Sequence, residues 1–527
     1  MPVHRRTRRG RVTAGLIALL TALAACGSSG STSPTTSAAA GGQSAVSGSP
    51  ATGTAKMIRV VMPAEPATLN PAFNVYGMLR VLGGMFTPLV GFDKKTLKID
   101  DSGLLTSWER TSPTEWTFTL RSGVKFHDGE PWDTDAAIFT ITKYRDEEKS
   151  GFRPYHSRIT DIKAIGTDKI KVTTKEPYIA LPMVFTNDMG LPPKAYGSDG
   201  DAFGRNPVGT GPFKLGKFTS GQSLTMVANP DYFGEKAKSA GLEFTWAADP
   251  ATRTALVQSG GVDIAYDLSP EGLATAESAP GLKVVSSPTL YKMTLSFNAN
   301  AGTLADVKLR EAAQAAIDYA AISKALFNDK AAVVAPYFAG DVMDKQPTLT
   351  YQKFDLDKAK SLVAAAGGSP KVRFLYSTGY YLKDKQVGEA VSAMLEAAGF
   401  QVEQAPLEYS EMRKERNTGN YSLYMSQITP VFAHPDSLYA FFSGSAAAVK
   451  SCDNPETYDK MQAEGLTATD QAASDKIYQQ IEERYLDQDR CAAILYDQVY
   501  LYAMSDKLQG FETARDTVPD PAGWQLS

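Results

Sequence analysis

The clearest alternation of apolar and polar positions lies within residues 107–131. Trp116, Phe118 and Leu120 alternate with Thr117, Thr119 and Arg121, the period-2 pattern of a strand with one buried face. Ser122-Gly123 reads as a turn. Val124 and Phe126 then resume the alternation before His127-Asp128-Gly129 breaks it, so the stretch reads as a hairpin. Upstream, residues 57–61 form a short apolar run suited to an interior strand. Downstream, Thr134 is placed to cap a helix with Asp135 in its first turn and Ile138, Ile141 and either Tyr144 or Arg145 along one face. Short strands are expected at 159–165 and 170–174, and a helix from Arg253 stops at Gly260-Gly261 before a strand near Val262. Residues 291–298 alternate strongly again.

Beyond Asn300 the period changes. Residues 309–326 are apolar with helical spacing, and 355–366 form a helix stopped by Gly367-Gly368. A strand at 372–376, a helix carrying Val387, Val391 and Met394, a stop at Gly399 and a strand at 401–405 follow. This helix and strand order predicts an α/β region with a mainly parallel sheet. Helices at 455–465 and 469–487 precede a last apolar strand at 493–502.

Composition changes this picture mainly at the amino end. With 527 residues, 43% hydrophobic and 21% charged, the chain is long enough for two or three buried cores. The first 26 residues join a basic start to an apolar run and Cys26, the layout of a secretory signal, and the run is too short to cross a bilayer as a helix. Leu23-Ala24-Ala25-Cys26 resembles a bacterial lipobox, which implies lipidation of Cys26. Residues 27–56 are rich in Gly, Ser, Thr and Ala, and a coil of that length spans about 30 Å, a flexible tether. The formal charge of −4 includes five leader arginines, so the remainder carries about −9, which argues against nucleic acid as a partner. Cys452 and Cys491 remain after Cys26, and in an exported chain they are expected to pair.

Residues 107–131, with Trp-Glu followed by Phe-Thr-Leu-Arg-Ser-Gly-Val-Lys-Phe-His-Asp-Gly, resemble the signature of the family 5 extracellular solute-binding proteins. Asn-Pro-Val-Gly-Thr-Gly-Pro-Phe at 206–213 and Asn-Pro-Asp-Tyr at 229–232 resemble further elements of that family. The glycines of 206–213 lack the spacing of a phosphate loop, so a tight backbone turn is expected there. The resemblance implies a periplasmic-binding-protein-like α/β fold of type II, in its large cluster C form. It also implies two lobes with a hinge and an extra subdomain in the first lobe. In that frame the chain divides into a signal peptide at 1–26, the tether at 27–56, lobe I at 57–296, lobe II at 297–498 and a return to lobe I at 499–527. Strands near Tyr291 and Val499 would be the two crossings.

The resemblance further implies a monomeric receptor, anchored by lipid to the extracytoplasmic face of the cell membrane. It would capture a solute between its lobes and deliver it to ABC permease subunits. Peptide-like solutes are the first expectation. Oligosaccharide, opine-like ligands and nickel are alternatives, as is a non-transport surface sensor. Ligand contacts are expected from Asn74, Tyr76, Tyr291, Tyr380, Thr429, Val431, Phe432 and Asp436. Val431 stands where the peptide-binding pattern places an aspartate for the ligand's amino terminus, so the chain departs from that pattern within 427–436. No cofactor, metal site or catalytic residue is assigned, because hydrolase and metalloprotease motifs are absent and histidines number four.

Overall fold

The computed structural model describes residues 55–73, 79–333, 336–337, 349–351, 353–442, 452 and 454–527. Cys26, the leader and nearly all of the tether lie outside these residues. Two long strands, Leu282–Phe297 and Ala492–Ser505, pair antiparallel from Leu282 opposite Ser505 to Ser296 opposite Ala492. At one end Ala492–Ser505 continues through Ile264–Ala265 to Met57–Met62, Gly241–Trp246, Ser223–Ala228 and Phe213–Thr219. At the other, Leu282–Phe297 continues through Leu423–Ile428 to Lys371–Ser377 and Gln401–Leu407. The last three strands run parallel to one another, and antiparallel pairing begins where Leu423–Ile428 meets the crossing strand. Beyond Asn300 the expected parallel sheet is therefore these three strands, and parallel pairing recurs on the other side where Met57–Met62 lies between Ile264–Ala265 and Gly241–Trp246.

Side chains on these strands alternate between two hydrophobic cores, as a period of two demands. Ile58, Val60, Ile264, Tyr502 and Met504 enter one core, shared with Phe118, Trp132 and Tyr144. Val61, Ala265, Leu501 and Ala503 enter the other, shared with Leu295, Phe374, Val391 and Tyr478. A separate four-stranded antiparallel sheet is built from Leu105–Ser112, Glu115–Leu120, Lys169–Thr174 and Ile159–Ile165.

That small sheet corrects the hairpin reading. Trp116, Phe118 and Leu120 are buried on one face of Glu115–Leu120, but the strand's hairpin partner precedes it, with Pro113-Thr114 making the turn. Residues 124–132 instead close their own loop, through Phe126 N–H to Glu130 O and Trp132 N–H to Val124 O. His127 fastens this loop to residues 206–213. Its Nδ1 accepts from Gly209 N–H at 3.2 Å, which leaves Nε2–H to donate to Gly211 O at 3.0 Å. Burial lowers its pKa to about 4, so the ring is neutral near pH 7. A Cβ at Gly209 would lie 2.0 Å from Met85 O, and one at Gly211 2.5 Å from Met85 C, so only glycine permits this approach of two backbones.

Two helix boundaries also differ from expectation. Asp133, not Thr134, caps Thr134–Asp146 by accepting from Ala136 N–H at 3.0 Å. The 309–326 region is two helices, Val307–Ala316 and Tyr319–Phe327, because Asp318 caps the second by accepting from Ala321 N–H. Cys452 and Cys491 are joined by a disulfide with Cα atoms 5.6 Å apart.

At the middle of the crossing, the ladder slips between Pro288 and Lys292. There Lys292 Nζ meets Asp497 Oδ1 at 2.5 Å, with the two side chains 1% and 4% exposed. Burial lowers the ammonium's pKa and raises the carboxylate's, each opposed by the partner's charge. Removing either partner alone strands a buried charge. Lys292→Ala or Asp497→Ala is expected to cost about 3–5 kcal/mol in chemical denaturation. The double replacement by Met and Leu should cost less than the two single changes combined; additive losses would show that the charges do not interact.

Candidate functional site

Tyr291 falls in the gap of the crossing ladder, between Pro288 and Lys292, so its backbone is released from strand pairing with Ala492–Ser505. Thr429 follows immediately on Ile428, the residue opposite Lys292. Both line two cavities, one of about 690 Å³ and one of about 800 Å³. The site is therefore bipartite, with its junction where the crossing strands loosen.

The smaller cavity takes Phe152, Thr186, Asn187 and Met189 from one side and residues 429–433 from the other. Val431 and Phe432 line it. Asn187 Nδ2 donates to Val431 O, and Tyr155 packs edge-on against Phe432 with ring centroids 5.1 Å apart. Tyr291 is 7% exposed, and its hydroxyl lies 3.3 Å from Thr517 Oγ1.

Arg253 and Asp267 line one side of the larger cavity, its floor, and Asp267 belongs to an ion pair whose partner, Arg80, lies behind that lining. Arg80 meets Asp267 through two hydrogen bonds of 2.8 and 2.9 Å. Its guanidinium lies 4.8 Å from the Tyr266 ring centre and 4.4 Å from that of Tyr500. Burial is the largest influence and works against the charge, but Asp267, Tyr502 and Tyr500 together outweigh it and raise the arginine's pKa. Arg253 frames the same floor by donating to the carbonyls of Tyr266, Ala247 and Ala248. Tyr380, Tyr381, Tyr409, Arg413 and Arg416 line the same cavity.

Of the expected contacts, Tyr291, Tyr380, Thr429, Val431 and Phe432 line these cavities. Asn74 and Tyr76 lie outside the described residues. Asp436 is a correction. It is fully buried and lines neither cavity, because Arg158 Nη1 at 3.2 Å and Tyr478 Oη at 3.2 Å hold its carboxylate. Arg158 also sits over the Tyr178 ring, so the pair ties residues 158–178 to the helix Asp436–Phe442. His434 is buried, its Nδ1 accepts from Asp436 N–H, and burial lowers its pKa to about 4. His156 is buried against Asp188 at 2.6 Å. Among the described residues, no group of three or more His, Cys, Asp or Glu is arranged to hold a metal ion.

Arg80, Asp267, Tyr409, Arg413 and Arg416 carried no usable signal along the chain. Asp267 stands 187 residues from the arginine it binds, and the helix Tyr409–Thr418 reads as an ordinary charged helix.

Residues 101–449 match the family described as Bacterial extracellular solute-binding proteins, family 5 Middle. The chain is 26% identical over 483 residues to the "Probable D,D-dipeptide-binding periplasmic protein DdpA" of Escherichia coli, covering 86% of this chain and 91% of that one. It is 24% identical over 466 residues to the nickel-binding periplasmic protein of the same organism, covering 82% and 87%. The crystal structure of the ABC transporter substrate-binding protein CtaP of Listeria monocytogenes superposes with a TM-score of 0.80 at 19% identity, over 90% of this chain and all of that one.

Proposed function

Because the chain belongs to family 5 of the bacterial extracellular solute-binding proteins, we propose that it captures a peptide-like solute at the junction of Tyr291 and Thr429. It delivers that solute to the permease subunits of an ABC importer. The observation that carries this reading is the pair of cavities sharing those two residues. Their volumes lie in the range of small-molecule sites, and the walls of the larger one draw on residues from both sides of the crossing strands, Asp267 on one and Gln427 on the other. Walls of this kind close on a solute by a shift of population, since contacts to both sides exist only in the closed form.

The peptide class draws support from the D,D-dipeptide-binding name of the relative that matches most of the chain. Val431 presents methyl groups where a carboxylate would pair with an ammonium, and Asp436 is held by Arg158. Solutes with a blocked or altered amino end therefore belong to the class. The receptor acts as a monomer and performs no catalysis. Its lobes are residues 57–296 and 297–498, with 499–527 returning to the first. The leader ending at Cys26 supports a lipid anchor on the extracytoplasmic face of the cell membrane.

Two measurements test this. Cys26→Ala should move the protein from the membrane fraction to the soluble one, and retention in the membrane would contradict the anchor. A thermal-shift panel of free and amino-blocked peptides, oligosaccharides, opine-like compounds and nickel should single out the peptides. Binding at a hundredfold excess over Kd stabilises by about 2.7 kcal/mol. A shift produced only by a sugar, an opine-like compound or nickel would overturn the peptide reading.

A further inference from the structure

The wall of the larger cavity is held in place before any solute arrives. Asp384, 2% exposed, accepts from the backbone N–H groups of Gly379, Tyr380 and Tyr381 at 2.8–3.1 Å and from Ser377 Oγ at 2.8 Å. Gly379 and Lys383 bracket this loop with φ of 80° and 59°. The left-handed backbone at Lys383, unfavourable for a side-chain-bearing residue, persists where its ammonium meets Glu271 at 2.5 Å. A loop fixed by this many constraints displays its side chains in one arrangement.

What it displays is aromatic. Tyr380 stacks on Tyr409 with ring centroids 3.7 Å apart and planes 3° from parallel, while Tyr381 meets both rings edge-on. Tyr380 is nevertheless 58% exposed, and it lines the cavity. Arg413 and Arg416 are three positions apart on the helix Tyr409–Thr418, on one side of it, and both line the same cavity. Arg413 lies 5.8 Å from the Tyr409 ring centre. Neither arginine has a carboxylate partner among the described residues. Gln498 also lines the cavity; it is 8% exposed, and its Oε1 has no donor among the described residues.

We infer that this cavity is a specificity subsite for an aromatic ring adjoining a free carboxylate at one end of the peptide-like solute. The ring stacks on the preset tyrosines, the carboxylate meets Arg413 and Arg416, and an amide N–H of the solute satisfies Gln498. The inference rests on the peptide reading above. Because the tyrosines are ordered beforehand, stacking loses little to immobilisation, and it discriminates between rings and small side chains.

Calorimetric titration of Ala-Ala-Ala, Ala-Ala-Phe and the amide of Ala-Ala-Phe tests it. The unmodified protein should bind Ala-Ala-Phe about tenfold more tightly than Ala-Ala-Ala. Tyr380→Ala should remove most of that preference while still binding Ala-Ala-Ala. The double change Arg413→Ala and Arg416→Ala should weaken both free acids and abolish their advantage over the amide. Equal binding of the two free acids, or a preference that survives Tyr380→Ala, overturns the subsite and leaves the peptide reading standing. Silence of every peptide overturns that reading, and the subsite with it.

Discussion

The pairing of Leu282–Phe297 with Ala492–Ser505 is the constraint on which the remaining architecture depends. The strands on one side of the large sheet reach those on the other through these two. Their weakest point is also their most polar one, where Lys292 and Asp497 face each other out of water. A buried ion pair of this kind adds little net stability over apolar residues, because both charges must be desolvated. Its value lies in register. A slip of one residue would turn side chains onto the wrong face and leave two charges buried without partners. The ladder can therefore open around Tyr291 without losing alignment on either side.

That local opening is what creates the site. Tyr291 and Thr429 sit next to the paired charges, in segments that have left the ladder, and the two cavities meet there. Around this junction the polar groups divide into those that hold the frame and those that face open space. Asp436 with Arg158, Arg80 with Asp267, and His127 with Gly209 and Gly211 belong to the frame. Within the signature stretch His127 is thus scaffold, locking one loop against another and lining neither cavity, whereas Arg121 lines the smaller one. Tyr380 is of the other kind, its position set by neighbours and its face open to the cavity.

Most strands were readable from alternation alone, because a strand with one buried face repeats every two residues whatever it pairs with. Pairing itself was less readable. Trp116, Phe118 and Leu120 announce a buried face, yet nothing in them states that the hairpin partner lies before the strand rather than after it. The break at Asp318 escaped notice because the apolar period continues through it while one carboxylate restarts the helix. Tyr291, Thr429, Val431 and Phe432, expected through resemblance to a family, line the cavities, whereas Asp436, expected only as a nearby substitute carboxylate, does not. Spacing along the chain does not reveal that Arg158, 278 residues away, holds that carboxylate. Arg80 and Asp267 were hidden for the same physical reason: each is an ordinary residue locally, and their chemistry exists only once the fold brings them together.

The central claim is that solute occupies the junction shared by the two cavities. Titration calorimetry of a Thr429→Trp variant, with the peptide that stabilises the unmodified protein most, addresses it directly. The indole would fill the junction from a position outside the strand ladder. The account predicts that the variant unfolds at nearly the same denaturant concentration as the parent but binds the peptide at least a hundredfold more weakly, about 2.7 kcal/mol. Unchanged affinity in a folded variant would contradict it.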